Sequence, residues 1–162
     1  MKTRFLLTLI AVIGIQCSFG KGGLDETWYR QYLGGQIVQF ARMFEGVRYD
    51  YANSDPMRGF DCSGFINFIY GNFNIKVPRQ SSQFANYGKN VSLSDLQQGD
   101  ILLFTGSDAS SKTPGHLGIV SEIKQGKIYF IHAATSNKKG IMTSALDEPY
   151  FKARFMKAIR VL

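Results

Sequence analysis

Cysteine is scarce in this chain, which has only Cys17 and Cys62 among its 162 residues. Residues 1–20 carry the features of an export signal, so Cys62 is the single thiol of the predicted mature domain. One thiol cannot form an internal disulfide, which excludes a fold held together by such cross-links. An unpaired thiol in an exported protein is either buried and inert or used in chemistry, and the residues around Cys62 decide between the two.

The sequence also lacks an apolar stretch long enough to span a bilayer. The longest one, residues 5–15, follows Lys2 and Arg4 and is succeeded by small residues ahead of a predicted cleavage after Gly20. These features predict export to the periplasm or cell envelope and no transmembrane span. The predicted organisation is a signal peptide, a short lead-in and one domain, over residues 1–20, 21–35 and 36–162.

A second interpretation of the amino terminus makes Cys17 a lipid anchor, as in bacterial lipoproteins. Gln16 stands before it, where such signals favour a small side chain, and both interpretations stay open at this point. Either one leaves the folded domain with Cys62 alone.

Acidic side chains are few: 12 Asp and Glu stand against 19 Lys and Arg, a net charge of +7. Without Lys2 and Arg4 the count is 17 basic against 12 acidic, a net charge of +5. A basic domain suits an anionic surface such as a bacterial envelope, although a merely soluble basic domain has the same composition. The basic residues are scattered and export is predicted, which together argue against a nucleic-acid partner. We expect a monomer.

Hydrophobic periodicity changes from helical to strand-like along the chain. Residues 25–45 predict a helix that Gly34-Gly35 is expected to break or kink, and a second helix is predicted from Cys62 to Gly71. Residues 106–115 are polar and predict a surface loop. Five strands are predicted over residues 100–104, 116–123, 128–134, 141–145 and 158–162. Helices followed by strands indicate an α+β fold, with N-terminal helices packed on a C-terminal antiparallel β-sheet.

Asp61 belongs to the residue types that cap helix amino termini, so Cys62 is predicted to lie in the first turn of the second helix. The unpaired amides and the dipole at a helix start favour an anion. We expect them to lower the thiol pKa until the thiolate is populated at neutral pH. The same position exposes the sulfur and directs the Cys62 amide toward a developing oxyanion, while Gly64 is expected to keep bulk away from the sulfur.

A nucleophilic thiol needs a base, and the chain has two histidines, His116 and His132. They lie in neighbouring strand patterns, so the turn between these strands decides whether they meet. A two-residue turn at residues 125–126 would put the imidazoles on opposite faces of the sheet. A three-residue loop over 124–126 would pair His132 with Gly118 and leave both imidazoles on one face. We predict the three-residue loop.

Cys62, His116 and His132 would then form the nucleophile, base and orienting group that acyl transfer requires. Two other interpretations compete with this one. Each histidine taken alone is as compatible with a hydrogen-bonded core residue. One Cys and two His also suggest zinc, but their spacing matches no common ligand pattern and no fourth ligand is evident. We therefore expect neither a metal nor a cofactor.

Several sequence blocks resemble the NlpC-type, papain-like cysteine peptidases of bacterial cell walls. The most specific are Asp-Cys-Ser-Gly at residues 61–64 and Gly-His-x-Gly-Ile at 115–119, in that order. The other matching blocks are Gly-Val-Arg-Tyr, Val-Pro-Arg-Gln-Ser, the segment ending in Gly-Asp-Ile-Leu-Leu-Phe, and Ile-His-Ala, at residues 46–49, 77–81, 95–104 and 131–133. The resemblance covers about residues 36–162.

The resemblance implies a function in the cell envelope. It makes Cys62 the nucleophile, His116 the general base and His132 the third, orienting residue. The implied reaction is hydrolysis of peptidoglycan stem peptides through a thioester acyl-enzyme. The bond that such enzymes usually cleave joins the γ-carboxyl of D-glutamate to diaminopimelate or lysine. Peptidoglycan or muropeptides are thus the implied binding partner.

The resemblance also implies a set of substrate-binding residues. Members that require a free N-terminal L-alanine hold its amine with the residues that flank the cysteine, here Asp61 and Ser63. Tyr49 would line the site and support the oxyanion. The block over residues 77–81 would contact substrate through Arg79 and Ser81.

This chain departs from the family pattern at residues 51–53, where Tyr-Ala-Asn replaces an aromatic residue followed by two glycines, and in a longer loop before His116. Two other functions fit the same residues. One is an amidase or acyltransferase that uses the same triad on another acyl group, and the other is a non-catalytic envelope-binding module.

Overall fold

The computed structural model describes residues 24–135 and 140–162. The predicted signal peptide and both interpretations of Cys17 lie outside the described residues. Within the described ranges, no helix combines the length and apolar character needed to cross a membrane.

Two α-helices precede the main sheet. The first, α1, spans Leu24–Arg42, and α2 spans Cys62–Gly71, with Asn72 at its carboxyl end. Between them lies a small hairpin of β1 (Ser54–Asp55) and β2 (Gly59–Phe60). Short 3-10 helices follow at Ser81–Asn86 and Leu93–Asp95. The predicted start of α2 at Cys62 is confirmed, because the Asp61 side chain caps it.

The main sheet has six antiparallel strands in the order β3-β8-β4-β5-β6-β7. Their ranges, with that of the short helix α3, are β3 Lys89–Val91, β4 Ile101–Phe104, β5 His116–Lys124, β6 Lys127–Ala134, β7 Gly140–Ala145, α3 Pro149–Lys152 and β8 Phe155–Arg160. The predicted α+β class is confirmed. The last strand was predicted over 158–162, but it begins at Phe155, opposite Phe104 of β4. The short elements β3 and α3 were not predicted, because so few residues establish no period.

Both faces of the sheet are buried, because successive side chains of β4 alternate between two hydrophobic cores. Ile101 and Leu103 belong to a core shared with α1 and α2, whereas Leu102 and Phe104 belong to a second core on the opposite face. Phe151 of α3 packs into that second core. The sheet is therefore a layer between the two helices and the segment around α3.

Helix α1 continues through Gly34-Gly35, so the predicted break there is wrong. A Cβ on Gly34 would lie 2.1 Å from the carbonyl oxygen of Gln98, closer than any real side chain approaches. The glycine at this position allows the helix to contact the backbone of the segment that leads into β4. Close packing against this segment compensates for the low helix propensity of glycine.

Candidate active site

Cys62 occupies the first position of α2, but the residue is only 9% exposed, so the predicted exposure of the sulfur is wrong. The Asp61 carboxylate accepts a hydrogen bond from the Gly64 amide at 2.5 Å, which fixes the start of the helix. The thiol hydrogen bonds at 3.8 Å to the carbonyl oxygen of Gly115, the residue before His116. The start of α2 thus brings the sulfur against the first residues of β5.

Gly64 allows close packing of two backbone segments. The prediction that it clears space beside the sulfur is wrong, because the atoms nearest to a Cβ at this position belong to Asn53 and Asp61. A Cβ at this position would lie 2.1 Å from the carbonyl oxygen of Asn53. That same carbonyl accepts the Asp61 amide at 3.0 Å. Any larger residue here would push the loop before β1 away from the helix that carries Cys62.

The predicted thiolate is wrong for the free protein. Burial, together with the smaller effect of the nearby Asp61 charge, raises the pKa of the Cys62 thiol to about 11. The backbone amides of Ser63 and Leu117 and its own amide lower the pKa, but the loss of hydration outweighs them. At neutral pH Cys62 is therefore a thiol, and a base must remove its proton during the reaction.

The two imidazoles meet, as predicted. His116 Nε2 lies 2.9 Å from His132 Nδ1, and the ring planes are 87° apart. On its other side, His132 Nε2 lies 3.1 Å from the hydroxyl oxygen of Ser144 on β7. Both nitrogens of His132 are thus engaged by protein groups, which disfavours the zinc interpretation.

The predicted three-residue loop between β5 and β6 is wrong. The strand register that it predicted near the two histidines is nevertheless observed. Lys124 pairs with Lys127, so the turn has two residues, Gln125 and Gly126, both with positive φ (52° and 76°). A β-bulge at Ser121 then shifts the register. Beyond the bulge Ile119 pairs with Ile131, the alignment that puts both imidazoles on one face.

Burial keeps both imidazoles neutral. It lowers the pKa of His116 to about 4. Burial and, to a smaller extent, the neighbouring His116 lower the pKa of His132 to about 3. Phe130 and Phe151 pack on the His132 ring, with centroids 5.0 and 5.1 Å away. At neutral pH the site therefore holds a thiol and two uncharged rings, of which His116 can accept a proton.

Two cavities adjoin at the thiol, and Tyr49, Cys62 and Gly115 line both. The imidazole-side cavity, about 520 Å³, also has His116, His132, Ser144, Glu148, Tyr150 and Phe151 in its wall. The arginine-side cavity, about 450 Å³, also has Tyr51, Asp61, Ser63, Arg79 and Ser81 in its wall. A peptide bound across both cavities would place one bond over Cys62.

Asp61 is more heavily engaged than the sequence indicated. Arg79 donates to both of its carboxylate oxygens, at 3.0 and 2.8 Å. The Ser63 hydroxyl donates to one of them at 3.2 Å and receives a hydrogen bond from Arg79 at 3.2 Å. The carboxylate implied to bind a substrate amine is therefore already paired with a guanidinium inside the protein.

All eight residues predicted for the site lie in the walls of these two cavities, and their individual roles stay predictions. Burial raises the pKa of Tyr49 to about 12, so its hydroxyl remains a hydrogen-bond donor at neutral pH. Ser81 begins the 3-10 helix at the edge of the arginine-side cavity.

Sequence reasoning missed Ser144 and the wall that α3 supplies. The pair Glu148-Pro149 is a signal for the start of a helix, because proline favours the first helical position, and it could have revealed α3. Ser144 carries no such signal. Its proximity to His132 follows from the pairing of β6 with β7, which no local pattern encodes.

Comparison with known proteins gives one consistent result. The NlpC/P60 family profile matches residues 46–160. The murein DD-endopeptidase MepS/murein LD-carboxypeptidase of Escherichia coli is 38% identical over 120 residues, which are 74% of this chain and 58% of that protein. Gamma-DL-glutamyl hydrolase of Bacillus subtilis is 33% identical over 125 residues, which are 76% of this chain and 28% of that protein.

A solved structure of an NlpC/P60 family protein from Bacillus cereus superposes with a TM-score of 0.69 at 27% identity, covering 80% of this chain and 40% of the other. This chain thus spans a little over half of its Escherichia coli relative and about a quarter of its Bacillus subtilis relative. The superposition with the solved structure agrees with the observed fold. The chain belongs to the NlpC/P60 family of papain-like domains.

Proposed function

We propose that this chain is a cysteine endopeptidase that hydrolyses stem peptides of peptidoglycan. The observation that carries the proposal is the position of Cys62, at the junction of two cavities, one of which also contains the hydrogen-bonded pair of His116 and His132. Similarity to a protein named a murein endopeptidase supports the substrate class. The proposed site of action is the periplasm or cell envelope.

The proton transfer follows from the bonding of the rings. His116 Nε2 faces His132, so Nδ1 is the nitrogen of His116 left to act as base. It takes the proton from the Cys62 sulfur as that sulfur attacks the carbonyl carbon of the substrate. Because the pKa of the thiol is about 11, the thiolate is scarcely populated at neutral pH before His116 takes the proton.

The charge that develops on the substrate oxygen needs donors close to the sulfur. The Cys62 amide lies in the first turn of α2, where amides have no acceptor within the helix, and the neutral Tyr49 hydroxyl lines the same two cavities. His116 then returns its proton to the leaving amine as the carbon–nitrogen bond breaks and a thioester forms. Water, deprotonated by His116, hydrolyses the thioester and restores the thiol.

The proposed scissile bond joins the γ-carboxyl of D-glutamate to diaminopimelate or lysine. The name of the Bacillus subtilis relative supports a γ-glutamyl bond, whereas that of the Escherichia coli relative points to a DD bond. In our assignment the acyl part of the substrate occupies the arginine-side cavity and the leaving amine occupies the imidazole-side cavity. Mass spectrometry of a digested, defined muropeptide set distinguishes the two bonds by fragment mass.

The test of the nucleophile is Cys62→Ala in the full chain. We expect complete loss of muropeptide cleavage, with an unchanged circular dichroism spectrum and urea midpoint. Cleavage at the wild-type rate by this variant would overturn the proposal. Transfer of the acyl group to an added amine in place of water would support the acyltransferase alternative. Binding to murein without turnover by the wild-type protein would support the envelope-binding module.

A further inference from the structure

Ser144 stands at the end of a chain of hydrogen bonds that begins at the thiol's base. Its hydroxyl oxygen lies 3.1 Å from His132 Nε2, and His132 Nδ1 lies 2.9 Å from His116 Nε2. Ser144 is buried on β7, 7% exposed, and borders the imidazole-side cavity. Nothing in the family resemblance that identified the triad assigns it a role.

We propose that Ser144 is a positioning residue that accepts the Nε2 hydrogen of His132 and so supports the tautomer in which His116 is able to act as a base; this inference rests on the proposed function. Each neutral imidazole carries one N–H and one acceptor nitrogen. For His116 Nδ1 to accept a proton, the His116 hydrogen must be on Nε2, where it donates to His132 Nδ1. His132 then carries its own hydrogen on Nε2, and Ser144 accepts it.

Protonation of His116 makes this arrangement obligatory. Once His116 has taken the proton from Cys62, both of its nitrogens are N–H donors. If His132 carried its hydrogen on Nδ1, that N–H would face the N–H at His116 Nε2, with the two nitrogens 2.9 Å apart and no acceptor between them. Only a His132 with hydrogen on Nε2 stabilises the imidazolium, and that hydrogen is buried against the hydroxyl oxygen of Ser144.

Removal of the Ser144 hydroxyl leaves the Nε2 hydrogen of His132 buried without an acceptor, which disfavours the tautomer that catalysis needs. Packing of Phe130 and Phe151 on the ring opposes a ring flip as a remedy. Loss of the Ser144 hydroxyl should slow proton transfer from Cys62 to His116 and should leave substrate affinity unchanged. Ser144 acts on His116 through the His132 ring.

The test compares Ser144→Ala and Ser144→Thr with Ser121→Ala as a matched control. Ser121 is the buried serine of the β5 bulge, and its hydroxyl has no hydrogen-bond partner among the described residues, so the bulge does not depend on the group that alanine removes. For Ser144→Ala we expect kcat on a defined muropeptide to fall about ten- to one hundredfold, with KM within about twofold. Ser144→Thr keeps the hydroxyl and should restore most of kcat, and Ser121→Ala should match the wild type.

Two measurements need no peptidoglycan, and they separate failure of this inference from failure of the proposed function. Nitrogen-15 spectra of the histidines should show His132 protonated at Nε2 in the wild type, and lose that signature in Ser144→Ala alone. At neutral pH, where His116 must remove the thiol proton, iodoacetamide alkylation of Cys62 should slow about tenfold or more in Ser144→Ala. Wild-type kcat and alkylation rate in Ser144→Ala, an equal loss in Ser121→Ala, or a change confined to KM would each overturn the positioning role.

Discussion

Arg79 holds both carboxylate oxygens of Asp61, at 3.0 and 2.8 Å, and closes one wall of the cavity beside the thiol. The pair has a structural consequence as well, because the same carboxylate caps the helix that carries Cys62. Asp61 thus serves the helix and Arg79 at once, and the cavity wall carries a neutralised pair in place of a bare negative charge.

We predict that the proposed peptidase does not require a free amino terminus on its substrate. Because Arg79 already pairs with Asp61, a substrate ammonium gains little from that carboxylate. Muropeptides with a free and an acetylated N-terminal L-alanine should be cleaved with kcat/KM within about threefold of each other, a difference below 1 kcal/mol. Liquid chromatography of parallel digests measures the ratio.

The matched variant for this prediction is Arg79→Ala, which leaves Asp61 unpaired beside the cavity. It should move the selectivity toward the free amine, since the carboxylate then has no cation of its own. A preference of about a hundredfold for the free amine in the wild type would contradict the prediction.

The pH dependence of thiol reactivity tests the protonation states at the site. The pKa values of about 11 for Cys62 and about 4 for His116 leave both groups uncharged between these limits. His116 accepts a proton only when neutral, so cleavage should fall as the pH drops through about 4. Alkylation of Cys62 by iodoacetamide should keep rising with pH toward about 11, as the thiolate becomes populated. An alkylation rate that levels off below neutral pH would show a preformed thiolate–imidazolium pair instead.

The buried pair of Asp100 and Arg160 should matter for stability and not for chemistry. The Asp100 side chain is 1% exposed and accepts two hydrogen bonds from Arg160, both at 2.7 Å. Arg160→Met leaves a buried charge without its partner and should lower the free energy of unfolding by about 3–5 kcal/mol. Urea unfolding followed by circular dichroism measures the change.

The control for that loss is Arg30→Met, which removes an exposed ion pair with Glu26 on α1. It should cost less than about 1 kcal/mol, because water screens the pair. Equal losses of unfolding free energy in Arg160→Met and Arg30→Met would show that the burial of Asp100 does not account for the destabilisation.

The adjacent glycines of α1 should respond in opposite directions to alanine. A Cβ on Gly34 would lie 2.1 Å from the Gln98 carbonyl oxygen, whereas the nearest atom to a Cβ on Gly35 is a Gln98 side-chain oxygen at 3.6 Å. Gly34→Ala should destabilise the protein despite the better helix propensity of alanine. Gly35→Ala should stabilise it by about 1 kcal/mol. The midpoints of thermal unfolding of both variants measure these changes. A higher midpoint for Gly34→Ala would contradict the close contact between Gly34 and the Gln98 carbonyl.

The sequence alone was enough to predict the features that depend on local pattern. The change from helical to strand-like periodicity predicted the α+β class, and Asp61 before an apolar helical run placed Cys62 at a helix start. The order of the blocks around Cys62 and His116 pointed to the family. These features could be predicted because a cap, a helix face or a strand alternation is defined by residues close together in the chain.

Only the tertiary structure decided the properties that depend on distant segments. The bulge at Ser121, and not the turn, aligns His116 with His132, because a one-residue shift anywhere along a hairpin reverses the face. The pairing of β6 with β7 brings Ser144 to His132. Burial by the surrounding protein makes Cys62 a thiol where the helix start alone predicted a thiolate, because loss of hydration exceeds the stabilisation that a few amides provide.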